Sequence, residues 1–198
     1  MASQAQQILE IAQEKGLISG SDLKPFGFPG SLLNRLHDQG KLVRVARGVY
    51  MLPDRDFDPY LDFAIAGKRY SYGVIALLSA LSFHGLTTQL PHQVWMAVPY
   101  GRMPKQRNQR MRFVTLSGPA FEEGVETHII EGVAVKIYSA AKTVADCFKF
   151  RNKIGLDIAL EAFRDFEEEG GDMEALWRYA QIDRIDGVMM PYLVGMGL

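Results

Sequence analysis

Apolar residues recur at helical spacing in the first forty positions and then change to strand-like alternation. Ile8, Leu9, Ile11 and Ala12 form one stripe, Ser3 is placed to cap it and Gly16 to end it, which predicts a helix from Ser3 to about Lys15. Ser21-Asp22 opens a second, short helix that cannot pass Pro25 and the turn Gly27-Phe28-Pro29-Gly30. A third helix is predicted from Ser31 to Gln39, with Gly40 ending it. Leu32, Leu33 and Leu36 fall on its inner face, and Ser31, Asn34, Arg35 and Asp38 keep the spacing of the outer one. The next stretch, KLVRV, a turn at Ala46-Arg47-Gly48 and VYML, alternates as a hairpin does, with Val43, Val45, Val49 and Met51 as its apolar content. Helices followed by a hairpin in this order predict a winged helix-turn-helix, a unit that docks on DNA.

The pattern breaks at PDRDFDPYLD, Pro53 to Asp62, where prolines and aspartates cluster. The expected organisation is therefore a winged helix-turn-helix over 1–53, a linker over 54–62 and a second domain over 63–198. In that second part Tyr60–Lys68 and Val74–His84 are predicted helices, ahead of strands at Val94–Val98, Arg112–Leu116, Val125–Ile130 and Val133–Tyr138. The last two strands are joined by a tight Glu131-Gly132 turn. Helices follow from Ser139 to about Phe150, Leu156 to Glu168, Met173 to Ile182 and Gly187 to Val194. Together these elements predict an α+β fold: a winged helix-turn-helix followed by a mixed α+β domain.

Composition adds little beyond a globular class, since 47% of the 198 residues are hydrophobic and 23% charged. No run reaches the roughly 18 apolar residues of a membrane span, and acids stand where a secretory signal carries bases, so a cytoplasmic protein without a membrane partner is expected. The single Cys147 excludes an intramolecular disulfide and a Cys-rich zinc site, and is expected as a buried small apolar residue. Histidines 37, 84, 92 and 128 lack metal-ligand spacing, and no phosphate-binding glycine loop is present, so no metal and no cofactor are expected.

Net charge is only −1, but it is unevenly spread. The hairpin concentrates Lys41, Arg44 and Arg47, a cationic ribbon suited to phosphate or the minor groove. On the third helix Ser31 and Arg35 can contact a base edge or phosphate, and Asn34 an adenine edge. Asp38 opposes this, because it would meet phosphate repulsively. A second basic run, YGRMPKQRNQRMRF, brings Arg102, Lys105, Arg107, Arg110 and Arg112 together without an acid between Tyr100 and Phe113. It is a further candidate for nucleic-acid contact, as a loop ahead of a strand.

One constellation suggests an enzyme. Ser139-Ala140-Ala141-Lys142-Thr143 has the S-x-x-K spacing of some serine hydrolases, but S-D-N and K-T-G are absent and Ser139 is well placed as a helix cap. Catalysis is not expected. Lys142 and Asp146 at i, i+4 are expected as a solvated ion pair, and with Lys149, Arg151 and Lys153 they form a candidate surface for the second domain's own function.

LSALSFHGLTTQLPHQVWMAVP at 78–99 and VKIYSAAKTVADCFKFRNKIGLDIALEAF at 135–163 resemble the AbiEi-like antitoxin regulators of type IV (AbiE) toxin-antitoxin systems, which act in phage defence. The resemblance runs from RVARGVYML to WRYAQIDRIDGVMMPYL, with Ala140 standing where the family's SPxKT helix start has proline. It implies an autoregulatory repressor that binds inverted repeats in double-stranded DNA upstream of its own operon. It further implies a second domain that antagonises a nucleotidyltransferase toxin without a stable complex, and a monomer or weakly associating chain that pairs on DNA. The alternatives left open are a stand-alone winged-helix regulator and an enzyme using Ser139 and Lys142.

Overall fold

Ser3 sets the first helix: its Oγ accepts the amide of Gln6 at 3.2 Å and starts α1 (Gln4–Lys15), which Gly16 ends at φ 73°. The structure is a computed structural model and describes residues 3–54, 58–105 and 109–195. Its contacts divide into two units, one containing the chain as far as Ser71 together with His128–Val135, the other Tyr72–Thr127 and the chain from Lys136 onward.

In the first unit α1 is followed by β1 (Ile18–Ser19), α2 (Gly20–Leu23), a 3₁₀ turn (Lys24–Phe26) and α3 (Ser31–Asp38), then β2 (Val43–Ala46) and β3 (Val49–Met51). The second helix starts at Gly20 rather than at Ser21, because the Asp22 carboxylate accepts the Ser19 amide at 2.8 Å and fixes the turn one residue earlier. The strands form a three-stranded sheet in the order β1-β3-β2. Two-residue β1, too short to show alternation, pairs Ile18 with Tyr50 and makes β3 the central, wholly buried strand. The hairpin bulges between Arg44 and Ala46, and Gly48 takes the positive φ of its turn. Ile8, Ile11, Ala12, Ile18, Leu23, Leu33, Leu36, Leu42 and Tyr50 make one core.

Helix α4 (Leu61–Arg69) belongs to this unit by its contacts, although the sequence pattern assigned most of it to the second domain. Lys68 holds Asp22 at 2.8 Å, and Gly67 lets the helix backbone approach Val135, where a Cβ would sit 3.3 Å from its side chain. Glu131 and Gly132 both take positive φ, as a two-residue hairpin turn demands, and Leu17 donates to the Glu131 carbonyl at 3.2 Å. Gly132 is required there, since a Cβ would stand 2.0 Å from the Lys15 carbonyl oxygen.

A five-stranded sheet is ordered β6-β5-β4-β8-β7, from β4 (Val74–Ile75), β5 (Val94–Pro99), β6 (Met111–Leu116), β7 (Val125–Ile130) and β8 (Val133–Tyr138), and it belongs to the second unit apart from residues 128–135 around the β7–β8 turn. Its helices are α5 (Leu77–Phe83), α6 (Pro119–Glu122), α7 (Ala140–Lys149), α8 (Arg151–Ile154), α9 (Leu156–Glu168), α10 (Met173–Ile182) and α11 (Asp186–Gly195). The expected helix 74–84 is in fact strand then helix. Val74 and Ile75 pair with Ala97 and Met96, and the chain turns at Leu77, held at φ 50° with its side chain fully buried. Phe148, Phe163, Ala145 and Ala159 lie in a core shared with β4, β5 and β6. Cys147 is buried in the same cluster, and burial pushes its thiol up.

Candidate nucleic-acid interface

The outer face of α3 is arranged by two contacts from the hairpin. Tyr50, only 3% exposed, donates its hydroxyl proton to Asn34 Oδ1 at 2.6 Å. His37 Nδ1 donates to the Leu42 carbonyl at 3.0 Å, and its ring lies 6.2 Å from that of Tyr50. These contacts tie the last two turns of the helix to the entry and centre of the hairpin. Neither Tyr50 nor His37 was expected to bear on the site. The alternation of VYML was the one signal in the sequence, since it turns Tyr50 to the opposite side from Val49 and Met51.

Asn34 is exposed, yet part of its amide is committed: Oδ1 faces Tyr50, and the NH2 group is left for an external acceptor. The two-point adenine contact expected from the sequence therefore has a competitor for its acceptor half. Arg35 points to the other flank, where it lines a shallow groove with Ser3, Gln4, Ala5, Leu32 and Gln39. Ser31 and Asp38 are exposed at the two ends of the helix.

Arg44 stands opposite Tyr50 in the register, and cross-strand partners share a sheet face, so it lies on the side of the hairpin that looks toward α3. Arg47 occupies the turn, and Lys41 the entry to the hairpin. Lys41, Arg44 and Arg47 are exposed, as is Arg35, and among the described residues none of the four forms an ion pair. Four cations without internal partners leave their charge available to an anionic surface. Asp22, by contrast, is satisfied. Burial works against its charge, but the Lys68 ammonium and the Ser19 amide and hydroxyl outweigh that and hold its carboxyl below the usual 3.8.

The second basic run joins β5 to β6, which pair in parallel from Val94↔Met111 to Pro99↔Leu116. Parallel neighbours need a crossover, so the basic run joins opposite ends of the two strands rather than forming a hairpin turn. Arg112 donates from Nε to Gln93 Oε1 at 2.7 Å and lies over Trp95, 5.9 Å from the ring centre. Arg102 lies 5.7 Å over Tyr72. Lys105 and Arg110 are exposed, and Arg107 lies outside the described residues.

The expected surface around Lys142 is corrected. Lys142 and Asp146 are fully buried, and the lysine bridges Asp146 Oδ1 and Asp183 Oδ2, the latter at 3.0 Å. The reason is the return of the chain after α10, which places Asp183 against α7 across forty-one positions. Lys149 adds a contact to Asp183 Oδ1 at 3.3 Å and donates to its carbonyl at 3.1 Å. Arg151 donates to the Phe148 carbonyl at 3.0 Å, and Lys153 lies over Phe150. Burial disfavours the Lys142 charge, but both carboxylates more than compensate and raise its affinity for a proton. For Asp146, burial and the Asp183 charge push the carboxyl well above its ordinary value against the pull of Lys142, and its Oδ2 has no hydrogen-bond partner among the described residues.

Ser139 acts as the cap. Its Oγ accepts the Lys142 amide at 3.4 Å, and its own amide donates to the Gly124 carbonyl at 2.7 Å. A buried lysine held protonated between two carboxylates has no lone pair to activate Ser139, so this pair lacks the arrangement of a nucleophile and base. His84 Nε2 donates to the carbonyl of Tyr138, at the end of β8, at 2.7 Å.

Over 92% of this chain and 76% of the other, the fold is similar to the crystal structure of the RV2827C protein from Mycobacterium tuberculosis, with a TM-score of 0.54 at 15% sequence identity. No curated protein matches the chain. Residues 6–53, the segment that carries α3 and the hairpin, match the family described as "Transcriptional regulator, AbiEi antitoxin". This match, confined to residues 6–53, is to the same family that the chain's longer motifs resemble.

Proposed function

We propose that the first unit is a winged helix-turn-helix in which α3 enters the major groove and the β2–β3 hairpin holds the flanking backbone of double-stranded DNA. The observation that carries this reading is the set of four exposed cations without ion-pair partners among the described residues, Arg35, Lys41, Arg44 and Arg47, set around the polar ridge Ser31, Asn34 and Asp38. Arg35 reads a guanine edge or phosphate, Asn34 uses its NH2 group toward an acceptor, and Ser31 contacts backbone. Asp38 faces away from phosphate or meets a cytosine amine.

In this reading the protein is a cytoplasmic repressor of its own operon that binds inverted repeats, one chain to each half-site. It serves also as the antitoxin of a type IV system and opposes a nucleotidyltransferase toxin without a stable complex. The expected organisation, a binding module over 1–53 and an antitoxin domain over 63–198, stays part of the proposal. Arg102, Lys105, Arg110 and Arg112 extend the nucleic-acid contact in the second domain. Lys149, Arg151 and Lys153 remain its candidate antitoxin surface.

Two experiments test the two halves. Operator binding tests the repressor, as set out at the end of the Discussion. For the antitoxin, the neighbouring toxin gene is expressed with and without this chain: growth rescue without co-purification supports the reading, and a stable complex or no rescue rejects it.

A further inference from the structure

We propose that Tyr50 sets which bases α3 reads: by holding the Asn34 oxygen it leaves Asn34 as a hydrogen-bond donor, which selects a keto base, guanine or thymine, where Asn34 meets the major groove. The inference rests on the duplex-binding reading of α3 and names the chemistry that one side chain of that interface recognises. The Tyr50 hydroxyl lies 2.6 Å from Asn34 Oδ1. That length falls within the range of an O–H···O bond and below that of N–H···O, so the hydroxyl donates and the amide oxygen is the end it holds. Tyr50 is 3% exposed, on the central strand of its sheet, and its ring lies 6.2 Å from that of His37, whose Nδ1 donates to the Leu42 carbonyl at 3.0 Å. The hydroxyl is thus a fixed donor. Asn34, exposed one turn before His37 on the same helix, is the side chain that adjusts to it.

An asparagine with both amide ends free takes adenine by two bonds, from its NH2 group to N7 and to its oxygen from the N6 amine. Here the oxygen is turned toward a buried hydroxyl, and the NH2 group, on the other branch of the same planar carbon, is the end left for a base. To bring both ends onto one adenine the amide must swing off Tyr50 and leave that hydroxyl without its partner inside the protein. In the major groove guanine offers O6 and N7 and thymine offers O4, all acceptors. Adenine N6 and cytosine N4 are amines that meet the NH2 group donor to donor. The held amide therefore separates keto from amino bases. Asn34 touches the base, and Tyr50, acting through it, is a positioning residue.

The test uses the full chain and duplex DNA from directly upstream of its gene, with all four base pairs placed in turn at each position of a half-site and competed against the unchanged duplex. Ratios between duplexes do not depend on the fraction of protein that is folded, so lost stability in a variant does not imitate a changed preference. Asn34→Ala locates the contact, as the position at which base preference disappears. There the wild type should accept two pairs, those with guanine or thymine on one strand, and reject adenine and cytosine on that strand. Tyr50→Phe frees the oxygen and should raise adenine on the same strand relative to the other bases by roughly five- to a hundred-fold. A purely structural role for Tyr50 would weaken all duplexes by one factor. Any other wild-type pattern at the Asn34 position, no position that responds to Asn34→Ala, or an unchanged pattern in Tyr50→Phe would overturn the proposal while operator binding stands. Failure of the wild type to distinguish upstream DNA from a scrambled duplex would instead reject the duplex reading, and this proposal with it.

Discussion

The Tyr50 hydroxyl donates to Asn34 Oδ1 at 2.6 Å, so the central strand of the small sheet holds the helix that carries the candidate base contacts. Tyr50 opposes Arg44 across the hairpin, and one residue thus links the helix and the cationic ribbon.

Tyr50→Phe should lower stability by about 0.5–1.5 kcal/mol, the ordinary net worth of such a bond. Asn34→Ala should cost a similar amount, and the double variant less than the sum, because each change removes the same bond. Urea unfolding of the three variants checks this. Additive losses would mean that the two side chains act independently.

Removal of Lys142 is a different case. Lys142→Met leaves Asp146 and Asp183 buried together without their shared cation, and a loss of roughly 3–5 kcal/mol is expected. Asp146→Asn should be much milder. Its carboxyl has a raised proton affinity in the fold, so at pH values above its ordinary 3.8 the native state holds a proton that the unfolded chain has released. A raised folded value contributes stability below 3.8 and loses it as pH rises through the folded value. The wild type should therefore lose stability relative to Asp146→Asn as pH rises above about 4, measured by urea unfolding across the acid and neutral range. A difference that does not vary with pH would contradict this assignment.

Asp22 has the opposite sign. Its folded carboxyl titrates below 3.8, held there against burial by Lys68 and Ser19, so its contribution is present above 3.8 and is lost as pH falls through the lower folded value. Lys68→Gln should flatten the acid limb of the stability curve, with little change in the secondary structure seen by circular dichroism. An unchanged acid limb would show that the ammonium does not set the carboxyl.

Ser139→Ala should cost about 0.5–2 kcal/mol, the worth of an N-cap, while toxin neutralisation falls only in proportion to folded protein. Lost neutralisation in fully folded protein would revive the enzyme alternative.

The sequence is most legible where signals are local. Ser3, Gly16 and the leucines of α3 define the helices within one or two residues, and Leu156–Glu168 and Met173–Ile182 are helices over the predicted spans. What could not be seen depends on partners distant in the chain. Ile18 and Ser19 are strand because Tyr50 and Val49 lie beside them, and Val74 and Ile75 because Met96 and Ala97 do. The same holds for charge. Lys142 and Asp146 have the spacing of a solvated pair, and only Asp183, forty-one positions from the lysine, accounts for their burial. The cations of the candidate interface were legible because exposure is the default for lysine and arginine. Asn34's commitment to Tyr50 was not, since it needs the register of the hairpin.

The most direct test of the central claim is binding of the purified protein to DNA from directly upstream of its own gene, titrated over salt beside a scrambled duplex of equal length. Wild-type protein should bind the upstream DNA far more tightly. Arg47→Ala should reduce the salt slope by about 0.9 as a phosphate contact is lost, and Arg35→Ala should reduce the preference over the scrambled duplex. Equal, weak binding to both duplexes that neither change affects would contradict the assignment of α3 and the hairpin as a DNA-reading module.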